Sequence, residues 1–315
     1  MSKLRAVGAA AGILFIFALL FTACTAEVPA EDGVSVISTV FPLYDWTRAV
    51  AGEERAALLL KNGTDLHSYQ PSAEDMLRLM SADLVIYIGG ESDAWVEEVL
   101  SGKDAAGVKS LRLMDVLGDR LRNEELVEGM EGEEEEESPD EHIWMSPENA
   151  RLCTDAICEA LCECDPENAA SYQANAEAYK AKLSALHEAY LDVAKNGVRD
   201  TLLVADRFPF RYLTEEYGLN YYAAFAGCSA ESNASFETVI FLAQKADALG
   251  LSVLLTTESA DGRLAGTVAE NMETAPKIAA LDSMQSVTEE KIAGGYTYLS
   301  AMENNLGVLR EALQK

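Results

Sequence analysis

Between Pro166 and Lys195 the chain runs without an internal glycine or proline, rich in alanine, with Leu183, Leu186, Tyr190 and Val193 spaced along one stripe. That spacing predicts one amphipathic helix. About 28 residues at about 1.5 Å each make a rod of roughly 40 Å, so whatever flanks it has to pack along it. Both flanks carry one rhythm. Before the rod, apolar and β-branched runs at 34–40, 56–61, 82–89 and 108–114 alternate with helical stretches at 42–52, 72–81 and 93–102. After it, runs at 201–205, 219–225, 251–257 and 277–281 alternate with helical stretches at 208–217, 235–249, 262–273 and 296–313. Short strands alternating with helices imply βαβ units and parallel sheets. The expected fold is therefore α/β: an N-terminal lobe at 34–165, a linking helix at 166–196 and a C-terminal lobe at 197–315. A further helix is expected from Pro147 to about Cys164, with Ser146 as N-cap, proline in the first position and Glu148 in the first turn.

The N-terminus reads as an export signal. Lys3 and Arg5 precede an apolar run at 6–21, too short for a comfortable membrane span. It ends in Leu20-Phe21-Thr22-Ala23-Cys24, which resembles a bacterial lipobox with phenylalanine where leucine is more usual. The expectation is a signal peptide at 1–23, lipidation at Cys24 as a membrane anchor, a tether at 24–33, and a protein facing outside the cytoplasm.

Acidic residues outnumber basic ones 53 to 24, a formal net charge of −29. Such a surface repels nucleic acid, which excludes that partner class, and draws cations at long range. The segment 123–141 is dense in acid and has no base. It is expected to be a disordered, inserted loop whose carboxylates hold cations loosely at most. Four of the six cysteines, Cys153, Cys158, Cys162 and Cys164, crowd together without the CxxC spacing of zinc or redox sites. They are expected to serve as small buried residues of a helix.

The chain has three histidines. His187 lies within the long helical stretch and is expected to be structural. The other two lie in short polar segments bounded by proline: Gly63-Thr64-Asp65-Leu66-His67-Ser68-Tyr69-Gln70-Pro71 and Asp140-Glu141-His142-Ile143-Trp144-Met145-Ser146-Pro147. His67 follows an expected strand, and in open parallel sheets ligand groups sit on loops at the carboxyl ends of strands. Asp206, Glu258 and Asp282 end expected strands of the second half. Two imidazoles from one lobe facing carboxylates from the other would enclose a divalent metal in the cleft. A carboxylate at such a position also caps a following helix readily.

In their order behind a lipobox, these segments resemble the metal-binding lipoproteins of ABC importers for zinc and manganese. The likeness runs from Val34 to Leu313. It is carried by Val36-Ile37-Ser38-Thr39-Val40-Phe41-Pro42-Leu43-Tyr44, the two histidine loops, Phe210-Arg211-Tyr212 with Tyr217-Gly218-Leu219, and Leu281-Asp282-Ser283. The resemblance implies His67 and His142 as metal ligands, a third ligand that is histidine or glutamate, and an aspartate or glutamate, here Asp282. At the third position the sequence departs: Phe210-Arg211-Tyr212 places Arg207 there, and arginine has no free lone pair to offer. Asp206 is the expected substitute. Glu258 is a further candidate as ligand or supporting group, and Glu231, in Gly227-Cys228-Ser229-Ala230-Glu231, a weaker one. The resemblance also implies a divalent metal as cargo, zinc favoured and manganese next, an ABC permease as partner, a monomer, and no catalysis. The alternatives are a surface adhesin and, more remotely, a metalloenzyme, for which no HExxH helix is present.

Overall fold

The computed structural model describes residues 33–132, 138–229 and 233–314. The signal segment, Cys24 and Glu231 lie outside the described residues, as do residues 133–137 of the acidic run. Val34–Lys315 forms one compact unit.

Strands form where apolar, β-branched residues can be covered on both faces. In the first half the elements run β1 (Val36–Ser38), α1 (Phe41–Ala51), β2 (Ala56–Leu58), α2 (Ala73–Met80), β3 (Leu84–Tyr87), α3 (Trp95–Leu100), β4 (Lys109–Arg112) and α4 (Leu113–Leu117). The four strands are parallel, in the order β2-β1-β3-β4. Two helices follow, α5 (Pro147–Cys164) and α6 (Ala169–Lys195). The second half runs β5 (Thr201–Phe208), α7 (Arg211–Tyr217), β6 (Asn220–Ala226), α8 (Phe236–Leu249), β7 (Val253–Thr257), α9 (Arg263–Glu270), β8 (Lys277–Leu281), α10 (Glu289–Ala293) and α11 (Tyr298–Gln314). Its strands are also parallel, in the order β6-β5-β7-β8. The chain is thus the two-sheet α/β fold with a long helix that the alternating pattern implies.

Helix α5 starts as its sequence dictates: the Ser146 hydroxyl accepts the Asn149 N–H at 3.0 Å and Pro147 occupies the first turn. Helix α6 buries Tyr172, Ala176, Tyr179, Leu183, Leu186, Tyr190 and Val193, alternating three- and four-residue steps that keep one stripe inward. The stripe packs against α1, α5 and α11, so α6 is wedged between helices from both halves. One core runs continuously from Val36 and Trp46 through Leu183 and Tyr190 to Tyr298 and Leu309. A second cluster, with Leu203, Phe225, Leu242 and Leu254, lies on the other face of the second sheet.

Several local readings are revised. The strand expected to reach Met114 stops at Arg112, because Leu113 begins α4. Strand β5 continues to Phe208, and its register slips between Val204 and Arg207, so Asp206 sits in an irregular stretch rather than just past a strand end. The acidic segment is not simply a solvated loop in its described parts. Asn123 pairs with Pro139, and Glu131 adds to the edge of the second sheet beside Phe225. Asp140 and Glu141, at its end, are buried. Cys153 and Cys158 are buried on α5, Cys162 and Cys164 partly so, and all are free thiols. Among the described residues, no helix is long and apolar enough to cross a membrane.

Candidate metal centre

The two histidine loops meet where the halves face each other. Asp65 caps the short 3-10 turn Leu66–Ser68, its carboxylate accepting the His67 N–H at 3.0 Å. Gly63, at φ +73°, lets this loop pass close to the segment after β8: its N–H donates to Val287 O at 3.2 Å, and a Cβ there would stand 3.2 Å from Thr288. His142 precedes a second 3-10 turn, Ile143–Met145, and is wholly buried. The rings approach with Nε2 atoms 3.1 Å apart.

Each ring is turned by a partner on its far nitrogen. His142 Nδ1 lies 2.9 Å from Asp140 Oδ1, and the same oxygen accepts the His142 backbone N–H at 2.7 Å. His67 Nδ1 lies 2.9 Å from Ser92 Oγ, and Ser92 is held by its own N–H donating to Glu141 Oε1 at 2.8 Å. The Asp140 carboxylate places a proton on His142 Nδ1, the Ser92 hydroxyl can take one from His67 Nδ1, and that pairing aims both Nε2 lone pairs at one point, as in the partner-anchored histidines of metal sites. Burial, then the positive charge of His142, lowers the His67 pKa to about 4. Burial works most strongly against a charged His142, but the carboxylates of Asp140, Glu124 and Glu141 together outweigh it and the ring ends above the usual imidazole value. When His142 carries the extra proton, its Nε2–H bridges to His67 Nε2. It stands where a cation would displace it.

Gln285 closes this point. Its Nε2 lies 2.9 Å from His67 Nε2 and 2.5 Å from His142 Nε2, while its Oε1 lies 3.1 Å from Ser283 Oγ. The Ser283 hydroxyl has one proton to give, and Glu258 Oε1 takes it at 2.9 Å. A half-turn of the amide lets Nε2–H donate to Ser283 Oγ and turns the carbonyl oxygen to the imidazoles, where it can accept from a protonated His142 Nε2 or meet a bound ion. The backbone here is strained: Met284 is buried with φ +60°, a region that residues other than glycine seldom enter. The Met284 N–H donates to Asp282 Oδ1 at 2.9 Å.

Cys228, just past β6, also comes close to the two imidazoles. Among the described residues, His67, His142 and Cys228 are the one group of three histidine, cysteine or acidic side chains able to converge on an ion, with ligand atoms within 4.8 Å of one another. The loop gets this close through Gly227, where a Cβ would lie 3.0 Å from His142 Cε1 and 2.9 Å from Phe208 O. The Cys228 N–H donates to Glu124 Oε1 at 2.8 Å, which ties the loop to the acidic segment. Burial and the surrounding carboxylates of Asp140, Glu124 and Glu141 push the free thiol well above its ordinary value.

Among the described residues, the carboxylates expected from the second half, Asp206, Asp282 and Glu258, are engaged with other partners. Asp206 Oδ2 accepts from Thr256 Oγ1, Thr257 N and Thr257 Oγ1, at 3.2, 3.1 and 2.5 Å. Asp282 Oδ2 accepts the Tyr296 hydroxyl at 2.6 Å. Glu258 accepts both the N–H and the hydroxyl of Ser283, and so supports Gln285 from behind. Arg207 points to neither imidazole. Its guanidinium pairs with Asp65 at 3.0 Å and reaches Ser229 O at 3.4 Å, linking the loop of His67 to the loop of Cys228. His187, on α6, lies 2.7 Å from Glu216 Oε1, and Glu216 in turn accepts the Ser146 hydroxyl. Sequence reasoning did not bring Cys228 and Gln285 next to the two imidazoles, where the structure places them. The available signal was position: both follow strands of the second sheet at their carboxyl ends, Gln285 three residues past Asp282.

Known proteins share this arrangement of sequence and fold. The profile of the family described as "Zinc-uptake complex component A periplasmic", ZnuA, matches residues 36–312. The zinc-binding lipoprotein AdcA of Streptococcus pneumoniae is 29% identical over 299 residues, covering 93% of this chain, which spans only 58% of that relative's length. The high-affinity zinc uptake system protein ZnuA of Bacillus subtilis is 27% identical over 295 residues, 90% of this chain and 88% of its own. The crystal structure of the Zn(II)-bound ZnuA-like domain of Streptococcus pneumoniae AdcA superposes with a TM-score of 0.73 at 27% identity, covering 90% of this chain and all of that domain. These relatives are named for binding or uptake rather than for catalysis.

Proposed function

The chain belongs to the ZnuA family of zinc-uptake components, and we propose from that membership that it is an extracytoplasmic binding lipoprotein that captures a divalent ion, zinc before manganese, and hands it to an ABC permease. Its relatives' names supply zinc and uptake. The lipobox-like segment ending at Cys24 supplies the anchor.

The observation that carries the reading is the pair of buried imidazoles with Nε2 atoms 3.1 Å apart, each held by a partner on Nδ1. Two basic nitrogens pressed together away from water need a hydrogen-bond proton or a cation between their lone pairs, which an N–H supplies in the free protein and a metal in the loaded one. Imidazole suits zinc, and harder oxygen-rich sites suit manganese. A centre this enclosed leaves little room for the open coordination position and adjacent base of a catalytic zinc. Capture and release are then the whole mechanism. His67 and His142 bind the ion, Asp140 and Ser92 orient them, and the paired loops from the two halves exclude water. Release requires those loops to part or the proton to return to His142.

The test is to load the purified protein with zinc and manganese in competition and count bound metal by native mass spectrometry, beside His67→Ala, His142→Ala and the double variant. One zinc per wild-type chain and none in the double variant is the expected result. A wild type that retains no more metal than the double variant overturns the reading.

A further inference from the structure

We propose that the Cys228 thiolate is a direct ligand of the captured ion, alongside His67 and His142, and that this N2S set makes the site select zinc-like cations over manganese. The inference rests on the zinc-capture reading above.

Three observations carry it. Sγ and the two imidazole nitrogens fall within 4.8 Å of one another, and tetrahedral zinc with bonds of about 2.0–2.3 Å sets its ligand atoms roughly 3.3–3.7 Å apart. Small closing movements of side chains therefore complete the set. Next, the thiol is brought there by built features rather than by chance exposure: Gly227 admits the loop against the His142 ring, Glu124 holds the Cys228 N–H, and Arg207 fastens neighbouring Ser229 to Asp65 of the His67 loop. Last, among the described residues, the expected acidic side chains of the second half are engaged elsewhere, Asp206 with two threonines, Asp282 with Tyr296 and Glu258 with Ser283. The fourth position then falls to Gln285, whose neutral amide oxygen adds no charge. Two neutral imidazoles, one thiolate and one amide leave a bound divalent ion with one net positive charge. Binding transfers the thiol proton, and with it any proton held between the two Nε2 atoms, to solvent as the metal–sulfur and metal–nitrogen bonds form, with no change of oxidation state. Manganese favours oxygen ligands and gains little from sulfur, whereas thiolate is a preferred partner of zinc.

The test uses cobalt as a spectroscopic stand-in for zinc. The expected result is a strong near-ultraviolet thiolate-to-cobalt band in the wild type that vanishes in Cys228→Ser and persists in Cys158→Ser and Cys162→Ser. Zinc affinity of Cys228→Ser should fall about 100-fold or more, since loss of even an outer partner costs about 10–100-fold, while manganese affinity changes little. X-ray absorption on the zinc-loaded wild type, which needs no variant to fold, should show one sulfur at about 2.3 Å. A wild type that binds one ion through His67 and His142 with no sulfur in its shell, or a band that survives in Cys228→Ser, overturns this proposal and leaves zinc capture standing. A wild type that binds no ion overturns both.

Discussion

At the scale of single residues, the centre depends on what lies behind each imidazole. Asp140 accepts from both the backbone and the ring of His142, and its charge lifts the ring's pKa against the effect of burial. A carboxylate in this place raises the basicity of the nitrogen that meets the metal and also raises competition from protons. Asp140→Asn keeps an acceptor for both N–H groups but removes the charge. Zinc affinity, measured by chelator competition at pH 8, is expected to fall about 10–100-fold. The gap should narrow as the pH drops towards 6, because the wild-type ring protonates first while the variant's, with burial opposed only by the more distant Glu124 and Glu141, stays neutral to lower pH. A gap that holds constant or widens on acidification would sink the argument. The convergence of His67 and His142 is legible in the sequence because two proline-bounded loops each carry one histidine among acids. Cys228 and Gln285 are less so. Neither residue type marks a site by itself, and the choice between Cys228 and the nearby carboxylates depends on which loop tertiary packing presses onto His142. Carboxylates at strand ends look like ligands in one dimension, yet Asp206 satisfies three donors from β7 and its edge instead.

At the scale of elements, helix α6 explains why the two sheets behave as one body. Its buried stripe meets α1 and α5 from the first half and α11 from the second. Tyr190 donates its hydroxyl to Met302 O at 2.7 Å, and Asn175 reaches Val50 O at 2.9 Å, so the rod is fastened at both ends. Leu183 lies fully buried near the middle. Leu183→Ala removes three heavy atoms where neighbouring helices cannot collapse inward, and it is expected to cost about 2–5 kcal/mol. Chemical denaturation should report that loss in a single transition, with the same midpoint by tryptophan fluorescence and by circular dichroism. Two separated transitions would mean that the halves are not coupled through α6. The helix itself is legible in the sequence through its glycine- and proline-free length and its repeated apolar steps. The docking of the acidic segment is not: its pattern reads as solvated, and only the exposed edge of β6 beside Phe225 gives Glu131 a backbone partner. Strand limits shift for related reasons, since β5 extends past Ala205 by pairing with β6 as far as Phe208.

For the whole molecule, charge and enclosure would pull on different steps of the metal capture proposed above. The halves are joined across the centre by Trp144 Nε1 donating to Ser283 O at 2.8 Å, by the Tyr212 hydroxyl donating to Asp140 O at 2.9 Å, and by Arg207 paired with Asp65. Together with the continuous core, these bonds resist a wide hinge motion and confine opening to the loops around the ion. Departure of the metal is therefore set by short-range coordination in a buried place, where salt screens weakly. Arrival is set by the field of a chain with formal charge −29, which enriches cations near the surface before any ligand is met. Such steering raises association rates by about 10–10³-fold at low salt and fades as the screening length shrinks from about 30 Å at 0.01 M to about 8 Å at 0.15 M. Stopped-flow measurements of zinc association in sodium nitrate, a weakly coordinating salt, should show the on-rate falling by about tenfold across that range. The off-rate, followed by chelator capture, should change far less. An on-rate indifferent to salt would mean that the acidic surface plays no part in gathering the cation, and an off-rate that follows the on-rate would place the ion in exposed surroundings rather than between two buried imidazoles.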